Sequence, residues 1–164
     1  NSISVKRKKE LTARSWPNGC HVAEVEIDAE TGEVRLDRYV SVDDVGNTVN
    51  PMIVHGQVQG GIASGLGQAV LERTEYDASG QLLSGSYMDY ALPRADDMPS
   101  LSGSLFEKAP CLTNPLGAKG TGEIGAVAGP PAIVHAVIDA LAEKGITQVD
   151  MPLQPQKIWE CLNR

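Results

Sequence analysis

A chain of 164 residues with a formal charge of −7 has ordinary single-domain length, enough for one core, and predicts one domain or one piece of a larger one. Its acidic balance, with one Phe, two Trp and four Tyr, argues against nucleic acid or an anionic membrane as partner. The 17 glycines and 10 prolines exceed average usage and predict a core threaded by much loop.

The one basic cluster, Lys6-Arg7-Lys8-Lys9, is short and near a terminus, which suggests a solvated or frayed tail. Cys20, Cys111 and Cys161 are odd in number and far apart. They form neither a disulfide framework nor a CxxC metal or iron–sulfur ligand set, so no metal ligand is assigned and a reducing, cytoplasmic setting is expected. No 18-residue apolar run and no signal-peptide pattern is read, so a soluble, untargeted chain is expected.

Residues 1–18 show little periodicity and are read as an extended lead-in, with Trp16-Pro17-Asn18-Gly19 as a turn. Two alternating stretches follow, His21–Ile27 and Glu33–Val42, around a turn at Ala29-Glu30-Thr31-Gly32. They predict a β-hairpin with one buried face, on which Val22 and then Val34, Leu36, Val40 and Val42 are in phase. His21 reads as an ordinary strand residue, and Asp43-Asp44 as turn formers leading into Gly46-Asn47.

Val54, Val58, Ile62, Leu66 and Val70 recur every fourth residue and predict a helix in spite of five glycines between His55 and Leu71. Each glycine costs about 1 kcal/mol relative to Ala, so something must offset them. Close approach of another backbone or of a flat polar ligand would do so. Arg73–Leu83 suggests a second hairpin, Asp96–Pro99 a loop, and Leu101–Glu107 a strand. Ala132–Lys144 is the best helix by pattern, with prolines ahead of it and Gly145 as its stop. Ile146–Met151 predicts a short strand and Gln154–Leu162 a terminal helix. The fold class is therefore α+β: hairpins and sheet packed with a glycine-rich helix and a C-terminal helix.

The stretch Asn114–Ala126 sets Gly117, Gly120, Gly122 and Gly125 around Lys119 and Glu123. Glycine serves where backbone turns with φ > 0 or approaches something closely, so the loop is read as wrapped against a ligand. Two readings of Glu123 stand on the residues alone. It is a general base whose pKa burial raises toward neutrality, or a helix-entry residue near the positive end of the dipole. GxGxxG at Gly120–Gly125 lacks the apolar strand that a dinucleotide site needs before it, and Pro130-Pro131 is read as parting it from the next helix. A Walker A loop fails because Glu123-Ile124 stands where Lys-Ser/Thr is required.

The loop resembles the Gly-X-Lys-Gly-X-Gly-Glu signature of the xanthine oxidase family of molybdenum hydroxylases, which includes aldehyde oxidoreductases and aerobic carbon monoxide dehydrogenases. The glycine-rich helix and Ser86–Pro93 are similar to the same family, and the resemblance runs from about Trp16 to the C-terminus. It implies that residues 19–164 are the C-terminal portion of a molybdopterin-binding domain. By motif position it makes Glu123 the base that deprotonates the hydroxide ligand on molybdenum. Gly120 and Gly122 then bring backbone to the cofactor, Lys119 either neutralises nearby anionic charge or is a helix-flanking surface lysine, and Gly60, Gly61 and Ser64 lie along the pterin. Ser64 stands where many family members carry a longer Gln.

The resemblance further implies a molybdenum–molybdopterin cofactor, the cytosine dinucleotide form included, with iron–sulfur clusters and FAD on partner subunits or domains. The remaining partners implied are the upstream part of the molybdenum subunit and a small-molecule substrate, hydroxylated with water as oxygen source. Aldehydes, N-heterocycles and CO stay open, with no feature favouring CO. A non-catalytic fragment or assembly module is the alternative.

Overall fold

The computed structural model describes residues 3–8 and 13–163, so Lys9 of the basic run and parts of the lead-in lie outside the described residues. Strands β1 (Asn18–Ile27) and β2 (Val34–Asp44) form the expected antiparallel hairpin, and β3 (Leu101–Leu105) joins the far edge of β2 in parallel. Helix α1 (Pro51–Leu66) runs on into a π-helical turn over Gly67–Leu71, and α2 (Ile124–Leu141) ends in a 3-10 turn over Ala142–Lys144. Helix α3 (Pro155–Leu162) closes the chain. A small sheet and three helices make a mixed α+β domain.

The hairpin is present but the expected phase is not kept along it. Glu24 pairs with Arg38 while Val25 pairs with Leu36, so Asp37 is an extra residue on β2. A bulge of one residue turns every later side chain to the other face. Beyond it the buried positions are Tyr39, Ser41 and Asp43, while Val40 and Val42 are exposed together with Val22. Asp43-Asp44 therefore ends a strand instead of forming a turn.

α1 begins at Asn50, whose side-chain oxygen accepts from the Ile53 N–H, with Pro51 at the first helical position. Val54, Val58, Ile62, Leu66 and Val70 are all buried as the period predicts. The glycines divide into two uses. A Cβ on Gly61 would stand 2.8 Å from the Ala126 nitrogen, and one on Gly65 2.9 Å from Pro130 Cδ, so these two admit α2 at close range. At Gly56 and Gly60 an added Cβ would meet nothing within 4 Å.

α2 starts directly after Glu123 and passes through Pro130-Pro131, against the expectation that the prolines precede it. Two ladder N–H donors are missing there. The helix is held by tertiary packing instead: Pro130 is buried against Gly65, and Ile133, Val137 and Leu141 are almost fully buried. The missing preceding strand still speaks against a dinucleotide turn, since β3 ends at Leu105 and 106–115 contains no strand. With its 3-10 extension α2 is long and apolar enough, by length and composition, to cross a membrane; here its apolar residues link the two core clusters. One gathers Leu36, Tyr39, Val58, Ile62 and Ile133, and the other Val137, Leu141, Leu153 and Ile158.

Two further expectations change. The second hairpin reduces to a single bridge, Tyr76 with Leu82, around a turn organised by the Asp77 carboxylate; its residues are exposed and have no sheet to lie on. Residues 146–150 form no strand. Val149 instead packs into the second cluster and Leu153 N–H bonds the Ala69 carbonyl at 2.7 Å. Gly145 does end the α2 region, in the left-handed conformation at φ 74°.

Candidate functional site

The glycine loop is pinned at its entry and bare at its exit. Gly46 bridges Ala118, the Asn47 and Cys111 N–H groups both donate to the Gly117 carbonyl, and Lys119 N–H donates to Val45 O at 2.7 Å. Gly46 and Gly117 sit at φ 66° and 67°. A Cβ on Gly117 would lie 2.5 Å from Asn47 Nδ2, and one on Gly46 would strike the Gly117 carbonyl. Only glycine combines that sign of φ with that closeness.

Lys119 is not a surface lysine, and the anionic charge it meets is a carboxylate of this chain. Its Nζ donates to Asp44 Oδ2 at 2.6 Å, with side-chain exposures of 11% and 12%. Its charge is already matched. Burial raises the Asp44 carboxyl, but hydrogen bonds from Lys119 and from the Gly46 N–H outweigh it and hold the group below its ordinary value.

Past Lys119 the chain opens onto a cavity of about 720 Å³. Gly120, Thr121, Gly122, Glu123 and Ile124 form one wall, and Trp16–Gly19 with His21 the other. Glu123 occupies the N-cap position of α2, makes no capping bond, and is exposed. This chain by itself therefore does not bury the carboxylate. A Cβ on Gly120 would meet nothing within 4 Å, and one on Gly122 only Gln57 Oε1 at 3.9 Å. Gln57, Gly60 and Ser64 lie on one exposed helical face of α1, so Gln57 connects that face to the loop. Gly60 and Ser64 are thus open to a ligand, whereas Gly61 faces α2.

His21, read as an ordinary strand residue, is the feature that the sequence hid. Its side chain is 2% exposed; Nδ1 lies 2.9 Å from the Tyr39 hydroxyl and Nε2 2.9 Å from Asp43 Oδ1. Burial and then the Asp43 charge push the Tyr39 phenol up, so it stays protonated. Asp43 is 1% exposed and its Oδ2 has no hydrogen-bond partner among the described residues. No signal in the sequence marks this trio, because the bulge that brings residues 39, 41 and 43 to the inner face opposite His21 leaves each half of β2 alternating correctly.

Bare glycine backbone on two elements, the polar side chains of Gln57 and Ser64, and one carboxylate at a cavity make a candidate ligand site in a mixed α+β domain. Beside Gly60 and Gly120 an added Cβ would meet nothing within 4 Å, and beside Gly122 only Gln57 Oε1 at 3.9 Å, which leaves room for a flat group such as a pterin. Comparison with known proteins agrees. The profile of the molybdopterin cofactor-binding domain family matches residues 2–99. The large chain of carbon monoxide dehydrogenase from Hydrogenophaga pseudoflava is 37% identical over 148 residues, which is 90% of this chain and 18% of that one. The nicotine 6-hydroxylase large subunit of Paenarthrobacter nicotinovorans is 38% identical, over 87% of this chain and 17% of its own. Among solved structures, quinoline 2-oxidoreductase from Pseudomonas putida 86 superposes with a TM-score of 0.86 at 40% identity, over 90% of this chain and 19% of that one. This chain belongs to the molybdenum hydroxylase family, in the molybdopterin-binding subunit. It spans less than one fifth of the length of the relatives it matches.

Proposed function

We propose that this chain is the C-terminal segment of the molybdenum–pterin catalytic subunit of a cytoplasmic oxidoreductase that hydroxylates an aldehyde or an N-heterocycle with water as oxygen source. The observation that carries the reading is the placement of Glu123, an exposed carboxylate at the mouth of α2, beside bare glycine backbone on a cavity. The family profile ends at residue 99, so the role of Glu123 rests on its motif and this placement. N-heterocycles are supported by two relatives whose names carry nicotine and quinoline.

When bound, the molybdenum–pterin would supply the two-electron redox chemistry. This chain would supply the rest. Gly120 and Gly122 would offer uncovered backbone to the cofactor, with Gln57, Gly60 and Ser64 along the neighbouring helix face. Gly61 lies on the packed side of that helix and keeps α1 close enough to α2 for both surfaces to meet one ligand. The Glu123 carboxylate takes the proton from the hydroxyl whose oxygen forms the new C–O bond, the work of a positioned general base. The upstream part of the subunit would complete the pocket and bury the carboxylate, and iron–sulfur and FAD subunits would take the electrons.

The test is Glu123→Gln in the full assembly: turnover falls by about 10²–10⁴-fold while the molybdenum-to-protein ratio is unchanged. Near-normal turnover removes Glu123 from the mechanism. A second reading, a non-catalytic assembly module, draws on the exposed Val22, Val40, Val42, Tyr87 and Met88, which offer apolar surface to another part of the subunit. A molybdenum-to-protein ratio near one for the isolated chain would exclude that reading.

A further inference from the structure

We propose that the consecutive residues Asp43 and Asp44, at the end of β2, are positioning residues that clamp the two walls of the Glu123 cavity in a fixed relation. The inference rests on the functional reading above, and concerns how the base is held.

Adjacent strand residues point to opposite faces; here Asp43 holds the β1 wall, while Asp44 holds the glycine loop and is also hydrogen-bonded by Asn18 of the β1 wall. Asp43 turns inward and receives His21 Nε2 at 2.9 Å, while the other ring nitrogen meets the Tyr39 hydroxyl. With both nitrogens engaged and the side chain 2% exposed, the imidazole is not available as a base for a substrate. It is a strut, and the β1 segment it ties down carries Gly19 and His21 into the cavity wall. Asp44 turns outward and receives Lys119 Nζ at 2.6 Å, its other oxygen accepting from the Gly46 N–H at 2.9 Å.

The spacing gives the second contact its leverage. Three residues separate Lys119 from Glu123, and two of them are glycines at which an added Cβ would meet nothing within 4 Å (Gly120) or only Gln57 Oε1 at 3.9 Å (Gly122). A loop so short and so free of its own contacts is set by its ends: the Lys119–Asp44 pair with the Lys119–Val45 backbone bond on one side, and the start of α2 on the other. Loosening one end moves the base relative to whatever it faces, and a shift of about 1 Å at a reacting group costs about 10²-fold in rate.

The experiment uses the full molybdenum subunit assembly, purified from a host that makes the cofactor, in Asp44→Asn and Asp43→Asn forms. Backbone amide exchange, molybdenum content, and kcat and KM are read on each. Asp44→Asn is expected to raise exchange at 117–123 and Asp43→Asn at 15–22, each by about tenfold or more with the rest of the domain unchanged. Molybdenum content stays near wild type. The expected kinetic signature is kcat down by about tenfold or more with KM within about threefold, and Lys119→Arg, which keeps the charge opposite Asp44, retaining more of kcat than Lys119→Met. Exchange unchanged in both segments, exchange raised evenly over the domain, or local exchange raised with kcat intact would each overturn the clamp. Should Asp44→Asn not fold, Lys119→Met empties the same contact from the loop side and is read in its place. If Glu123→Gln also keeps full turnover, the functional reading fails, and the clamp is judged by exchange alone.

Discussion

Gly61 of α1 and Gly125 of α2 stand so close that a Cβ on Gly61 would lie 2.9 Å from the Gly125 Cα. The two helices meet backbone to backbone, and that contact brings the Gln57–Ser64 face beside the glycine loop.

Substitution of a packed and of an open glycine should therefore have opposite signs. Gly125→Ala would place its methyl 2.6 Å from the Ile62 nitrogen and should destabilise the chain by about 1–3 kcal/mol, since backbone cannot yield as a flexible side chain can. Gly60→Ala, with open space around it, should stabilise the helix by up to about 1 kcal/mol while lowering molybdenum content in the full assembly. Urea titration and elemental analysis read the two effects separately. Equal signs in the urea titration would remove the division of the glycines argued above.

The bulge at Asp37 makes a second contrast measurable. Leu36→Ala should cost about 2–5 kcal/mol, as a buried truncation. Val42→Ser, although six residues along in the same apparent alternation, should stay within about 0.5 kcal/mol because its side chain is on the exposed face. A large loss at Val42 would place it in the core after all.

The Asp44–Lys119 pair predicts a pH dependence with a definite sign. The folded carboxyl sits below its ordinary 3.8. Its contribution to stability is thus fully present above that value and is lost as pH falls through the lower folded value. Lys119→Met should be less stable than wild type by on the order of 1–3 kcal/mol from neutral pH down to about 4, with the gap closing in more acid solution. Chemical denaturation across that range checks it, and a gap that widens in acid would contradict the pairing.

Thiol accessibility offers a simple check of burial. Cys20 is exposed, whereas Cys111 and Cys161 are buried. A hydrogen bond with Thr113 draws the Cys111 thiol down, yet reactivity needs access as well as thiolate. One fast-reacting thiol in the native isolated chain and three after unfolding is the expected titration; two fast thiols in the native chain would mean that the loop at Cys111 opens.

Much of this was legible in the sequence. The fourfold recurrence from Val54 to Val70 specified α1 because burial of one helical stripe depends only on spacing. The alternation either side of Ala29–Gly32 specified the hairpin, and the motif around Glu123 pointed to the molybdenum hydroxylases. The glycines announced close approach, for which Cβ sterics leave few other causes.

What only the tertiary structure decided are choices set by partners distant in sequence. A single extra residue at Asp37 reversed the face of β2, which local alternation cannot reveal because each half of the strand alternates correctly. Pro130 and Pro131 read as a boundary, yet packing on Gly65 carries α2 through them. Lys119 read as neutralising an anion or as a helix-flanking surface lysine, and only the fold showed that it meets Asp44, 75 positions earlier, at 2.6 Å. His21 read as an ordinary strand residue until the same bulge set Tyr39 and Asp43 beside it. Periodicity records which side of an element is apolar; which charges meet, and which backbones touch, is fixed by how the elements are stacked.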